Sequence, residues 1–104
     1  MENDYIQPEK VISPKMHWSL IDVLDSGEGP GAVADGVSLA LGKWDQDPCL
    51  AIRWNGGEGN RLGNPQSRGL PTWFILPQGR VTEAIIGILP AEKVTLIRNF
   101  LRMP

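Results

Sequence analysis

Residues 37–55 read V-S-L-A-L-G-K-W-D-Q-D-P-C-L-A-I-R-W-N, and the reading of this stretch sets the architecture. Val37, Leu39 and Leu41 occupy alternate positions; so do Leu50, Ile52 and Trp54, with Cys49, Ala51 and Arg53 between them. Alternation at a period of two is the pattern of a strand with two distinct faces. Asp45-Gln46-Asp47-Pro48 separates the two runs. It is turn chemistry, because short acidic side chains bond nearby backbone and proline presets φ. The spacing predicts an antiparallel β-hairpin with strands over 37–44 and 49–55.

Upstream, M-H-W-S-L-I-D-V-L-D within 15–25 alternates well enough for a further strand. Met16, Trp18, Leu20 and Leu24 share one face with Asp22 as the odd member, and His17, Ser19, Ile21 and Val23 share the other. Residues 26–36, S-G-E-G-P-G-A-V-A-D-G, read as a loop. Residues 1–14, polar and carrying Pro8 and Pro14, read as a loosely held amino-terminal arm ahead of a single domain over 15–104. Downstream, T-W-F-I-L at 72–76 is aromatic and β-rich, hence a strand. Pro77-Gln78-Gly79 fits a hairpin turn, with 80–89 as the return strand. A helix over 80–89 is the competing reading, and Gly87 in its interior would cost about 1 kcal/mol. Pro90 and Glu92 suit the first turn of a helix, and Arg98 and Arg102 suit its carboxyl end. Val94, Leu96, Ile97, Phe100 and Leu101 recur at three- and four-residue spacing, which predicts a helix over 90–102. The expected fold is α+β: an antiparallel meander of about five strands with one carboxyl-terminal helix.

Between the strands lies the most biased segment of the chain, R-W-N-G-G-E-G-N-R-L-G-N-P-Q-S-R-G-L-P-T-W-F at 53–74. It carries three arginines against one acid, Glu58, inside a chain of net charge −2. Residues 56–71 show no apolar period, and a structureless loop of that length is usually functional or disordered. Arg53, Arg61 and Arg68 can fork onto phosphate or carboxylate, and Trp54 and Trp73 offer flat faces for stacking. Asn64, Gln66 and Ser67 add neutral donors and acceptors. The combination suits an anionic group attached to a planar ring, such as a nucleotide, the end of a single-stranded nucleic acid or a peptide carboxylate. The competing reading is structural: the tryptophans cap the core and the arginines bond loop carbonyls as a clasp.

Other patterns carry less. Gly29-Pro30-Gly31-Ala32-Val33-Ala34 matches a dinucleotide fingerprint, but Asp35-Gly36 ends any following helix after one turn, so a plain interstrand loop is favoured. Gly42-Lys43 is followed by Trp44 where a P-loop needs serine or threonine. Cys49 and His17 are the single cysteine and the single histidine. They exclude an intrachain disulfide and leave no cysteine metal set, and Cys49 in a strand reads as a small buried hydrophobe. Six acids concentrated in 22–47 read as a solvated rim. No catalytic, metal or cofactor residue is assigned.

The chain has 104 residues, 41% hydrophobic and 21% charged, which fits one ordinary globular domain. Its acidic balance argues against general attraction to nucleic acid or membrane, and no apolar run approaches a membrane span. The beginning lacks the basic and apolar regions of a signal peptide, so a cytoplasmic location is expected.

The strings R-W-N-G and G-N-P-Q-S-R-G-L-P-T-W-F, with K-W-D-Q-D-P before them, resemble short uncharacterised bacterial proteins of the kind carried on phage, plasmid or integron elements. The resemblance covers about 30 central residues, implies a prokaryotic cytoplasmic origin and carries over no functional residue. The expected function is a non-enzymatic binding module. Arg53, Trp54, Arg61, Asn64, Ser67, Arg68 and Trp73 would meet an anionic small molecule, a nucleotide or a protein partner. The alternative is a protein–protein module that pairs an exposed sheet edge as a homodimer. A third reading is a small hydrolase or nuclease using His17 with a loop arginine.

Overall fold

The hairpin forms at the centre of the sheet. In the computed structural model, which describes residues 5–27 and 36–103, strand β1 spans Trp18–Asp25, β2 Val37–Trp44 and β3 Asp47–Trp54. Two short strands, β4 at Gln66–Ser67 and β5 at Leu70–Pro71, precede β6 at Phe74–Ile75. Helices α1 at Arg80–Ile86 and α2 at Ala91–Leu101 complete the order. The main sheet is antiparallel with strand order β1-β2-β3-β6, and β4 and β5 pair as a separate two-stranded sheet. The fold is therefore α+β as expected, but with four strands in the main sheet, a small second sheet and two helices. The expected loop over 26–36, with its glycine fingerprint, lies largely outside the described residues.

The β2–β3 turn is tighter than the sequence suggested. Trp44 pairs with Asp47, so Asp45 and Gln46 alone make the turn, with φ of 50° and 77°. This is the mirror-image turn whose twist matches flanking strands. Pro48 consequently sits inside β3, opposite Lys43. In a two-residue hairpin that position is a non-hydrogen-bonded pair, so its missing N–H costs the ladder nothing.

Alternation then gives the sheet two buried faces. Leu39, Leu41, Leu50 and Leu76 pack under Ile86, Ile97 and Leu101 of the helices. Ala40, Cys49, Ala51, Trp18 and Trp73 form the other layer with Val11 of the amino-terminal arm. That arm is anchored: Pro8 and Val11 are buried, Ile6 N–H donates to Arg61 O at 2.9 Å, and Trp73 Nε1 donates to Val11 O at 2.7 Å. Small residues at Ala40, Gly42 and Ala51 leave room for the two indoles. A Cβ on Gly42 would lie 2.1 Å from the Trp18 ring.

β1 departs from a simple strand in an informative way. Its register against β2 shifts between Leu20 and Asp22 and again between Val23 and Asp25. Such bulges change which side chains face which layer. Trp18, Leu20 and Val23 join the arm-side core while Leu24 joins the helix-side core, and Asp22, the odd member of the alternation, pairs opposite Leu41. Met16, expected to share a face with Trp18, precedes the strand and is exposed.

Two expectations downstream are corrected. Only Phe74–Ile75 of the strand expected at 72–76 pairs with β3, with Leu76 N–H donating to Leu50 O at 2.9 Å. The return strand expected at 80–89 is helix α1, and Pro77-Gln78-Gly79 is a strand-to-helix turn. The reason is positional. Gly87 caps the helix, its N–H bonded to Glu83 O at 3.0 Å, so the penalty for an interior glycine does not apply. Gly79, with φ of 110°, supplies the sharp entry, and Thr82 Oγ1 donates to Pro77 O at 2.8 Å. The helix expected over 90–102 forms as α2, closed by Arg102 in the left-handed region with Met103 N–H donating to Arg98 O. Arg98 pairs with Glu83 at 2.5 Å and fastens α2 to α1, while Lys93 Nζ donates to Leu24 O and fastens α2 to β1.

Candidate functional site

The biased segment is not structureless. Trp54 and Asn64 exchange two backbone hydrogen bonds at 2.8 and 3.1 Å, a bridge that extends the edge of β3 beyond Phe74. Gly63 makes this approach possible. Its φ is 68°, and a Cβ there would meet Trp54 O at 2.3 Å. Gly57 and Asn60 close a smaller turn, and Gln66 Nε2 donates to Gly63 O at 2.8 Å. Beyond Pro65 the chain rises into the β4–β5 hairpin, turns at Arg68-Gly69 with φ of 53° and 78°, and returns so that Thr72 N–H meets Pro65 O at 3.0 Å.

Arg53 ties this excursion down. Its side chain points to the arm-side layer and is only 2% exposed. Nε donates to Thr72 O at 3.1 Å and Nη2 to Leu62 O at 2.5 Å, so one guanidinium holds both ends of the span that carries Asn64, Pro65 and the hairpin. Burial pushes its pKa down to about 10, yet it stays charged at neutral pH. Asn55 acts similarly at the other margin, accepting from Ser38 Oγ at 2.5 Å and donating to Ser26 O at 3.1 Å. Trp73 is also turned inward, 5% exposed, with its ring tilted against Trp18 at 6.3 Å between centroids.

What faces solvent is a cleft of about 330 Å³ lined by Val37, Ile52, Arg53, Trp54, Asn64, Pro65 and Phe74. The β2–β3 register places Val37 opposite Trp54, and β6 places Phe74 opposite Ile52. Ile52 packs toward the helices, so the cleft opens on the helix-side face at the end of the sheet. The helices leave this end open. The helix-side core gathers on Leu39, Leu41, Leu50 and Leu76 and does not reach Val37, Trp54 or Phe74. Val37, Trp54 and Phe74 are consequently 41%, 58% and 55% exposed in one place.

The seven residues proposed from sequence are thus placed differently. The side chains of Arg53 and Trp73 are buried, Trp54 and Asn64 line the cleft together with Arg53, and Arg61, Ser67 and Arg68 lie exposed in the same segment. Sequence reasoning missed Val37, Ile52, Pro65 and Phe74. A two-residue turn at Asp45-Gln46 would have placed Val37 beside Trp54, but the apolar pattern alone assigns both to core.

The remaining candidates are far apart or closed. His17 Nδ1 lies 2.7 Å from Asp45 Oδ1 and its ring stacks on Trp44 at 5.2 Å. This pair stands at the turn end of the hairpin, while Arg53 lies six residues along β3 from Asp47, about 20 Å away at strand spacing. Cys49 is buried, and burial raises its thiol pKa, so it is poorly disposed to nucleophilic work. Among the described residues no three histidine, cysteine or acidic side chains cluster to hold a metal ion, and no helix is long and apolar enough to cross a membrane. Comparison with protein-family models, with curated proteins and with solved structures returned no match.

Proposed function

We propose that this chain is a binding module and that the cleft beside Trp54 and Phe74 takes a small, flat, largely apolar molecule bearing an acidic group. The observation that carries the reading is the gathering of three exposed large hydrophobic residues, Val37, Trp54 and Phe74, around one concavity. Scattered exposed apolar residues need no explanation, whereas a concave cluster of them is the usual form of a ligand site. A volume of 330 Å³ lies at the small end of the range for ligand pockets, roughly 300–1,000 Å³, which suits one or two fused rings. Trp54 supplies a stacking face and Asn64 a carboxamide. With Arg53 committed to carbonyls, Arg61 and Arg68 are the arginines of the segment left exposed to meet a carboxylate or phosphate.

The sheet-edge dimer has less support. β1 is an edge strand whose two bulges break its register, and β6 is two residues long. Both are features that blunt edge pairing. The His17 hydrolase has less still, because His17 and the arginines of the segment stand at opposite ends of the hairpin.

The test is calorimetric titration with a monocyclic or bicyclic aromatic carboxylate and with its neutral amide. Trp54→Ala is expected to weaken binding of both roughly tenfold or more through lost stacking. Arg68→Ala is expected to weaken only the acid. Equal binding to wild type and Trp54→Ala would rule the cleft out.

A further inference from the structure

A second concavity meets the cleft at Trp54. It has a volume of about 340 Å³ and is lined by Trp54, Asn55, Asn60 and Asn64. Trp54 and Asn64 line both, so the two adjoin. The backbone accounts for the sharing. Trp54 and Asn64 exchange both hydrogen bonds of their bridge, at 2.8 and 3.1 Å, and residues directly opposite in such a pair send their side chains to the same side. The indole and the carboxamide therefore stand side by side on a fixed frame.

The two concavities differ in chemistry. Val37, Ile52, Pro65 and Phe74 wall the cleft, whereas three asparagines wall the hollow and no acid or base lines it. Asn55 is buried, with its side chain committed to Ser38 and Ser26, so it is a fixed wall. Asn60 Oδ1 accepts from Gln66 Nε2 at 3.3 Å, which leaves its Nδ2 to donate. Asn64 is exposed, and its carboxamide offers both a donor and an acceptor. A charged group would find no counter-charge among these residues, and an apolar one would cover carboxamides without pairing them. A hydroxyl donates and accepts, as a carboxamide does. A ring that carries several neutral hydroxyls and keeps apolar C–H faces suits the asparagines and the flat indole together.

We propose that the hollow is a subsite for a neutral polyhydroxylated ring of the pyranose class, bonded by Asn60 Nδ2 and the Asn64 carboxamide and lying against Trp54. Joined through its glycosidic oxygen to the flat ring in the cleft, such a group makes the ligand an aryl glycoside. A nucleoside fits less well, because the polar edge of its base would meet Val37, Ile52 and Phe74. The flat-ring half rests on the proposed function of the cleft, whereas the sugar half stands on the lining of the hollow.

Calorimetric titration with benzoate and with 4-(β-D-glucopyranosyloxy)benzoate tests it, since both carry the acid and the aromatic ring. The glucoside is expected to bind about tenfold or more tightly, the gain of two or so neutral hydrogen bonds with the added contact. 4-Cyclohexyloxybenzoate, a ring of the same size without hydroxyls, should not share that gain. Asn60→Ala, which removes one exposed side-chain bond, should bring the glucoside down towards benzoate and leave benzoate unchanged. Methyl β-D-glucoside alone should shift the Asn60 and Asn64 carboxamide signals in ¹H–¹⁵N spectra. A glucoside no tighter than benzoate, an equal gain from the cyclohexyl ether, or a gain untouched by Asn60→Ala would each overturn the sugar subsite while benzoate binding upheld the cleft. Benzoate that fails to bind while methyl glucoside still shifts both carboxamides would refute the cleft and support the hollow.

Discussion

Arg53 and Arg68 show how little residue type says about role when burial is unknown. Both are arginines of one basic segment, fifteen positions apart, and both could reach an anion. Arg53 follows Ile52 on a strand with two buried faces, so alternation sends it inward to the carbonyls of Leu62 and Thr72. Arg68 occupies a hairpin tip and remains exposed. Removing Arg53 strands two carbonyls that it satisfies with charge-assisted bonds, so Arg53→Met should cost roughly 2–4 kcal/mol in urea unfolding. Arg68→Ala should change stability by less than about 0.5 kcal/mol. Equal effects of the two substitutions would refute the division into clasp and contact. Gly42 is the counterpart among small residues. Its missing Cβ is the space occupied by the Trp18 indole, so Gly42→Ala should cost about 1–3 kcal/mol and alter the near-ultraviolet dichroism of the tryptophans.

At the scale of elements, the turns carry the consequences. Gln46 holds φ of 77° at the second position of the β2–β3 turn, where glycine is the preferred residue. Gln46→Gly should therefore stabilise the protein by about 0.5–1 kcal/mol, read as a higher urea midpoint at unchanged slope. A lower midpoint would mean that the Gln46 side chain makes a contact worth more than the strain. The central hairpin and α2 were legible in the sequence because each rests on an unbroken period, two in one case and three-to-four in the other. β1 was half legible, since Asp22 marked the break in alternation without revealing that two bulges cause it. α1 is hidden in the sequence because Gly87 counts against a helix interior, whereas its place is the cap at the carboxyl end.

For the whole molecule, the decisive fact is that both faces of the sheet are covered, but unequally. The arm, Trp73 and Arg53 seal one face, and two short helices cover most of the other. The uncovered remainder is the Val37–Trp54 end, where the cleft forms. None of this could be read from local patterns. The arm's polar composition hid the buried Pro8 and Val11, and which end of the sheet the helices cover depends on packing that no local period records. Trp54 and Asn64 were found by composition, whereas Val37, Pro65 and Phe74 required the register that brings them together.

The most direct measurement follows the four tryptophan indole N–H signals by ¹H–¹⁵N NMR during titration with an aromatic carboxylate. Trp54, 58% exposed in the cleft, should shift with saturation, while Trp18 and Trp73, buried on the arm side, and Trp44, stacked on His17 at the far turn, should hold their positions. A Trp54 signal that stays fixed while any of the other three moves would contradict the placement of the site.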